Sequence, residues 1–329
     1  NLTTAFVKFG IDTQLGSLPL TGNIGVQSIT VDQSSDIGFS SGLVPGTTEI
    51  NRSIVTSGAK YTDVLPSLNL ALELPHDMKL RFGAAITVAR PRMDDLAGGA
   101  SYSVVADNAT PDEVDGDVFY WKRTGGGNPE LKPWKANTFD LSLEKYFGSQ
   151  AYVSLAGYYK KLTTYIFNKS IITSFEGVLL PDQTSPSDPT SFTEADANRL
   201  GISTVRVNGS GGYIRGVEFT ASLPLSILTP MLDGFGFIVS GAKNSSEIDI
   251  NGVETAVPGL SEEVVNTTLY FEKAGFSARV SNRYRGDFIG EVPAFDSSLT
   301  LNSVKAESLL VAQIGYEFGD GRLDELSLG

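Results

Sequence analysis

The chain has 329 residues, a formal charge of −13 from 25 basic and 38 acidic side chains, 41% hydrophobic residues, one histidine and no cysteine. These values exclude disulfides, thiolate zinc sites, cysteine nucleophiles and multi-histidine metal centres, and they leave little of the hydrolytic chemistry that needs a histidine base. The acid excess, with no cluster of Lys and Arg, argues against nucleic acid, whose binding rests on cations that displace counterions from phosphates.

No stretch approaches the roughly 18 uninterrupted apolar residues of a membrane helix. The most apolar helical candidate, 223–232, is broken by Pro224 and Pro230. Spanning strands stay open, because a strand crosses in about 10 residues and needs one apolar face. The first residues, Asn1-Leu2-Thr3-Thr4, lack a start Met, a basic region and an apolar core, so they read as an internal cut.

Taken in chain order, strands are predicted at 4–12, 23–31, 61–74, 78–89, 137–146, 151–166, 213–223, 235–245, 264–273, 276–285 and 309–318, with a twelfth beginning at Leu323. The signal is period-two alternation. Leu68, Leu70, Leu72 and Leu74 alternate with Ser67, Asn69, Ala71 and Glu73. Met78, Leu80, Phe82, Ala84, Ile86 and Val88 alternate with Lys79, Arg81 and Gly83. Phe139, Leu141 and Leu143 oppose Asp140, Ser142 and Glu144, and Val217, Phe219, Ala221 and Leu223 oppose Glu218, Thr220 and Ser222. In 276–285 the polar face carries Ser277, Arg279, Ser281, Arg283 and Arg285.

Connections of two kinds take turns between these strands. Short ones rich in Gly, Pro or Asp lie at 15–19, 75–77, 147–150, 224–234, 274–275 and 319–321. Long polar segments fill 32–60, 90–135, 168–212, 243–263 and 287–306. Unstructured loops of more than about 15 residues count against a compact soluble domain. A sheet with small turns at one end and large excursions at the other is what outer-membrane barrels build, because no backbone amide can stay unpaired in lipid. Aromatics cluster where strands meet short turns, at Tyr146, Phe147, Phe235, Phe237, Phe271, Phe276, Tyr316 and Phe318, and read as one headgroup-level girdle. The fold class expected is therefore all-β: a transmembrane antiparallel up-and-down β-barrel, here partial, of about 11–12 strands.

Particular residues carry a family resemblance. Tyr61-Thr62-Asp63-Val64-Leu65-Pro66-Ser67-Leu68-Asn69-Leu70 leads to Leu80-Arg81-Phe82, then to Arg90-Pro91 with Asp95-Leu96. Gly127-Asn128-Pro129-Glu130-Leu131-Lys132-Pro133 follows, then 139–144, Gly212-Tyr213-Ile214-Arg215-Gly216-Val217-Glu218, 232–236 and Pro258-Gly259-Leu260-Ser261. In this order and spacing the series resembles the barrel of TonB-dependent outer-membrane receptors, and is most similar to a proteobacterial branch associated with uptake of carbohydrates and other complex nutrients. Trp134 stands where the family commonly has Glu. The resemblance implies one domain, residues 1–329, that lacks a plug domain, a TonB-contacting segment and the final strand of a closed barrel of about 22 strands. It also implies a Gram-negative outer-membrane location, surrounding outer-membrane lipid, a small nutrient ligand, a monomeric full-length barrel, and energy from the TonB-ExbB-ExbD system acting through the plug.

Within that frame, loop aromatics Phe119, Tyr120, Trp121, Trp134, Phe167 and Phe288, with Phe175 and Phe295, are candidates to stack on a sugar ring or planar ligand, Trp121 being preferred. The same rings also suit packing of loops on one another. Arg81, Asp140, Glu144, Glu218, Arg279 and Arg283 are expected to face the lumen and the plug. The prolines of 128–133 fix the chain's return into the barrel. Asp107, Asp112, Glu113, Asp115 and Asp117 lack EF-hand spacing and read as a solvated loop, and Thr193 with Glu194, Asp196 and Gly201 reads as a short capped helix. Gly209, Gly211 and Gly212 precede a strand, which removes a phosphate-loop reading, and His76 reads as a turn residue. No enzyme activity, cofactor or metal is expected. The function read here is TonB-energised uptake of a carbohydrate or siderophore-like ligand. The alternatives are a passive porin and an outer-membrane barrel hydrolase.

Overall fold

The structure is a computed structural model that describes residues 1–43, 50–99, 101–107, 118–124, 126–148, 151–174, 200–250, 252–293, 299–318 and 327–328. In chain order its elements are β1 (Leu2–Leu15), β2 (Leu18–Leu43), β3 (Ile50–Leu74), β4 (Met78–Ala89), α1 (Met93–Leu96), β5 (Ser101–Asp107), β6 (Val118–Thr124), β7 (Trp134–Phe147), β8 (Ala151–Ser174), β9 (Leu200–Gly209) and β10 (Tyr213–Pro224). Then follow β11 (Phe235–Ile250), β12 (Val253–Thr255), β13 (Glu263–Lys273), β14 (Phe276–Arg285), β15 (Phe288–Pro293), β16 (Leu299–Val304), β17 (Glu307–Glu317) and β18 (Ser327–Leu328). The main sheet runs β1-β2-β3-β4-β7-β8-β10-β11-β13-β14-β17-β18 and is antiparallel throughout. Among the described residues it does not close on itself.

Register shows how the alternation becomes two faces. One rung crosses Leu20, Leu72, Leu80, Leu143, Leu155, Phe219, Gly241, Val265 and Tyr284 in turn. These residues share a face, since side chains one position apart point oppositely. Leu141, Leu155 and Val217 on that face are 52%, 55% and 53% exposed, which no water-facing sheet would tolerate in so continuous a patch. Transfer of each such side chain into hydrocarbon is worth about 1.5–3 kcal/mol. The opposite face is concave. Tyr158 of β8 reaches over Gly216 of β10 and donates to Asn244 Oδ1 of β11 at 2.6 Å.

The turns follow from backbone chemistry. Ala274 and Gly275 both have positive φ, the pattern a two-residue I′ hairpin demands, and Lys273 pairs with Phe276 across it. His76 and Asp77 also have positive φ in the β3–β4 turn. His76 contributes its carbonyl there, accepting from Lys145 Nζ.

Two expectations need correcting. The long segments are not structureless: β2 and β3 continue pairing past Asp32 and Lys60 up to Leu43 opposite Ile50, and β8 continues to Ser174 against β9. Beyond the bilayer both faces of a hairpin meet water, so stretches such as Asp32-Gln33-Ser34-Ser35-Asp36 carry no alternation to read. The helix expected at 193–201 lies mostly outside the described residues, but its end, Leu200 and Gly201, is strand paired to Ser174 and Thr173.

The girdle also needs revision. Phe235, Phe271, Phe276 and Tyr316 form it, with Phe235–Phe271 and Phe271–Phe276 centroids 4.6 and 6.0 Å apart. Tyr146 points to the concave face instead, where its hydroxyl donates to Glu144 Oε2 at 2.7 Å. A second outward aromatic level, Phe139, Tyr159 and Tyr284, stands eight residues along from Phe147, Ala151 and Phe276. At about 3.3 Å per residue and a tilt of about 40° that is about 20 Å, close to the height of a lipid-facing apolar band.

Candidate functional site

The concave face gathers charge along its length. Arg81, Asp140, Glu144, Glu218, Arg279 and Arg283 all lie on it by register. Arg81 Nε donates to Glu144 Oε1 at 2.8 Å, Lys79 Nζ stands 3.4 Å from Glu73, and Arg279 stands 3.7 Å from Glu272. At the loop end this face turns apolar. Tyr165, Leu162, Ala136 and Ile248 are buried together, with Trp134, Phe167, Ile214, Ile250 and Val257 packed around them. Gly209 makes this possible: a Cβ there would stand 2.5 Å from the Tyr165 ring. Burial pushes the Tyr165 phenol above its usual range, so it stays a donor and reaches the Asp249 carbonyl. Burial, reinforced by Asp63, likewise raises Tyr61, which donates to Gln33 Oε1 at 3.4 Å.

Above this cluster opens a cleft of about 680 Å³, lined by Arg90, Pro91, Arg92, Asp95, Trp134, Phe167, Arg206, Ile248 and Leu301 among others. Three guanidiniums meet two carboxylates there, Asp95 and Asp94, the latter 3.5 Å from Arg92 Nε. Asp95 is buried and pairs with Arg206 Nη1 at 3.0 Å and Arg92 Nη2 at 3.3 Å. Arg90 is exposed and has no ion-pair partner among the described residues. Among the described residues the cleft therefore offers Arg90 as a cation without an ion-pair partner, Arg92 and Arg206 matched by Asp94 and Asp95, and the Trp134 and Phe167 rings, 5.9 and 5.7 Å from Tyr165. Such a lining suits an anion with a flat or apolar part.

Its floor is fixed by residues 128–133. Leu131 is fully buried, Gln33 Nε2 donates to the Pro129 and Leu131 carbonyls at 2.8 Å, and Asn128 N–H donates to the Asp95 carbonyl at 2.7 Å. Asn208 accepts from the Lys132 N–H and donates to its carbonyl, at 2.9 and 2.8 Å. The Pro258-Gly259-Leu260-Ser261 run is held similarly. Arg285 donates to Ser261 Oγ at 2.8 Å and to the Gly259 carbonyl at 2.7 Å.

Of the aromatic candidates, Trp134 and Phe167 meet in the cleft. Phe288 does not line it; its ring lies under the Arg285 guanidinium, 3.7 Å from the centroid. Phe119, Tyr120 and Trp121 lie in β6, and their side chains fall outside the described residues, as do Phe175, Phe295 and the acids of 107–117. In the sequence Arg90 and Asp95 stand out only as residues of the family resemblance, and Arg92 and Arg206 not at all, so none of the cleft's charged residues is a site candidate there. The alternation Val205-Arg206-Val207 was the available signal for Arg206, inside a segment read as loop.

Comparison with known proteins now decides the family. The family profile described as TonB dependent receptor-like, beta-barrel matches residues 9–329. The chain belongs to the TonB-dependent receptor family. Comparison with curated protein sequences gives no significant match. Among solved structures, the siderophore receptor PirA of Acinetobacter baumannii matches with TM-score 0.55 at 14% identity, over 97% of this chain and 48% of that one. The ferric-catecholate import receptor Fiu of E. coli K12 matches with TM-score 0.54 at 12% identity, over 96% and 38%. The copper transporter OprC matches with TM-score 0.52 at 15% identity, over 98% and 40%. This TonB-dependent receptor chain thus spans less than half the length of these relatives, and the likeness is one of fold. As in other TonB-dependent receptor barrels, its place is the outer membrane of a Gram-negative bacterium, which assigns the outward face to lipid and the concave face to the lumen.

Proposed function

We propose that this chain forms barrel wall and outer rim of a receptor that imports an anionic, partly planar solute by TonB-energised uptake, a siderophore-like chelate being the class that suits the cleft best. The observation that carries this reading is the rim cleft itself: Arg90 without an ion-pair partner among the described residues, Arg92 and Arg206 sharing Asp95 with Asp94 beside Arg92, and Trp134 and Phe167 on one inward wall. An uncharged sugar would use the rings but leave the Arg90 guanidinium, which has no ion-pair partner among the described residues, unanswered. Charge-assisted hydrogen bonds from such a site contribute about 1.5–3 kcal/mol each. Lumen charges Arg81, Asp140, Glu144, Glu218, Arg279 and Arg283 then line the path below the cleft and the surface against which a plug rests.

The test uses the full-length receptor in a Gram-negative host, with radiolabelled ferric chelates and neutral oligosaccharides offered in parallel, in tonB-positive and tonB-negative backgrounds. Accumulation of an anionic chelate, dependent on TonB and reduced at least tenfold in Arg90→Ala and Trp134→Ala, is the expected result. Uptake indifferent to TonB would remove the energised mechanism, and uptake of neutral oligosaccharides alone would remove the anionic cargo.

A further inference from the structure

The lipid-facing surface of this barrel is not uniform. Across β4, β7, β8, β10 and β11, two neighbouring outward rungs run Phe139-Tyr159-Arg215-Ser245 and Phe82-Leu141-Gly157-Val217-Lys243. Gly157 interrupts the second, and the missing side chain leaves a trough of about 590 Å³ between Leu141 and Val217. A Cβ at Gly157 would meet nothing nearer than the Gly216 carbonyl at 3.9 Å and Val217 Cγ1 at 4.0 Å, so the trough opens outward and steric need does not explain the glycine. The next rung down, Leu143-Leu155-Phe219-Gly241, continues the apolar surface past a second open glycine.

Cations sit at the upper end of this trough. Arg215 lies nine residues from the end of β10 at Pro224, hence about 23 Å above the short turns for a rise of about 3.3 Å and a tilt of about 40°. That is the headgroup level, where Tyr159 and Tyr213 stack at 6.4 Å and Arg215 lies 5.0 Å over the Tyr213 ring. Arg215 has no ion-pair partner among the described residues, and Lys161, opposite Tyr213 on the same face, has none either. Lys243 is paired at 3.2 Å with Glu263, and Glu247 faces outward beside Tyr213. Three cations therefore meet two carboxylates, a local positive excess on a chain whose formal charge is −13.

We infer that this outward trough is a specific site for a phosphate-bearing glycolipid of the outer leaflet, with an acyl chain along Gly157 and a headgroup phosphate between Arg215 and Lys243. The order of the parts matches such a molecule: apolar trough toward the membrane centre, with aromatics and cations together at the interface. A zwitterionic or neutral lipid would fill the trough without answering the cations, and lipid-exposed arginine is costly unless it reaches a headgroup anion.

The test is native mass spectrometry of the full-length receptor, extracted in detergent and exchanged with diphosphoryl lipid A or its dephosphorylated form. One tightly retained diphosphoryl lipid A per barrel, at least tenfold favoured over the dephosphorylated form, is expected. Arg215→Ala with Lys243→Ala should abolish that preference. Gly157→Leu, which keeps the cations and fills the trough, should lower retention of both forms. Lys273→Ala, an outward change at the lower girdle, should leave retention unchanged. Heat-modifiable gel mobility reports folding of each variant. Equal retention of the two lipids by the wild type, or retention unchanged in the folded Arg215→Ala, Lys243→Ala and Gly157→Leu proteins, would overturn the inference.

Discussion

Asp95→Asn should loosen the rim cleft without touching the membrane strands. Asp95 is 6% exposed and holds Arg206, whose side chain is 16% exposed, at 3.0 Å. Breaking a buried pair by removing one charge costs about 3–5 kcal/mol, because the other charge is left uncompensated. The contact to Arg92 adds little, since that side chain is 59% exposed and screened by solvent. Taking about 3 kcal/mol, the unit of α1, residues 127–132 and β9 should open about a hundredfold more often. Hydrogen exchange on the full-length receptor reads this at the amides that close the unit: Gly127 to Ala97, Asn128 to Asp95 and Lys132 to Asn208. Replacing both partners, with Asp95→Leu and Arg206→Met, should restore most of the protection, because no orphaned charge remains. Exchange at Asn128 and Lys132 that changes less than threefold in Asp95→Asn would refute the claim that the ion pair holds the rim together.

Three further outcomes are expected. Gly236→Ala should lower the thermal midpoint of the heat-modifiable transition by an overpacking cost of about 1–3 kcal/mol, because a Cβ there would collide with the Tyr270 ring that lies over it. Ala274→Gly should raise the same midpoint slightly, by relieving an L-residue at φ 53° in the I′ turn, a strain of about 1 kcal/mol. Leu269→Arg, on the outward face opposite Val280, should cost about 2–4 kcal/mol and reduce assembled barrel in outer-membrane fractions, whereas Thr268→Arg one residue away should assemble normally.

Where lipid lies on one side, the fold was legible in the sequence. The eleven predicted strands match the main path of the sheet, and Leu72, Leu80, Leu143 and Leu155 fall on one rung because a one-residue slip would bury Glu73, Arg81, Glu144 and Ser154 in hydrocarbon. Past the upper aromatic level that constraint ends. Ser57 and Thr56 pair with Ser35 and Asp36 in a hairpin wet on both faces, so hydropathy could not announce it. The cleft was half legible for the same reason. Trp134 and Phe167 stand out as aromatics, but the partners that give the site its charge come from β9 and from the loop after β4. Their convergence rests on hydrogen bonds of 128–133 to β9 that no local pattern encodes.

Single-cysteine labelling along β14 measures directly which face of these strands meets lipid. The chain has no cysteine of its own, so each introduced thiol reports alone within it. In full-length receptor in intact outer membranes, a membrane-impermeant maleimide should label positions 277, 279, 281 and 283. It should spare 278 and 280, which a lipid-soluble maleimide should reach instead. Uniform labelling of all six by the polar reagent, or the opposite alternation, would contradict the assignment of faces and with it the transport reading.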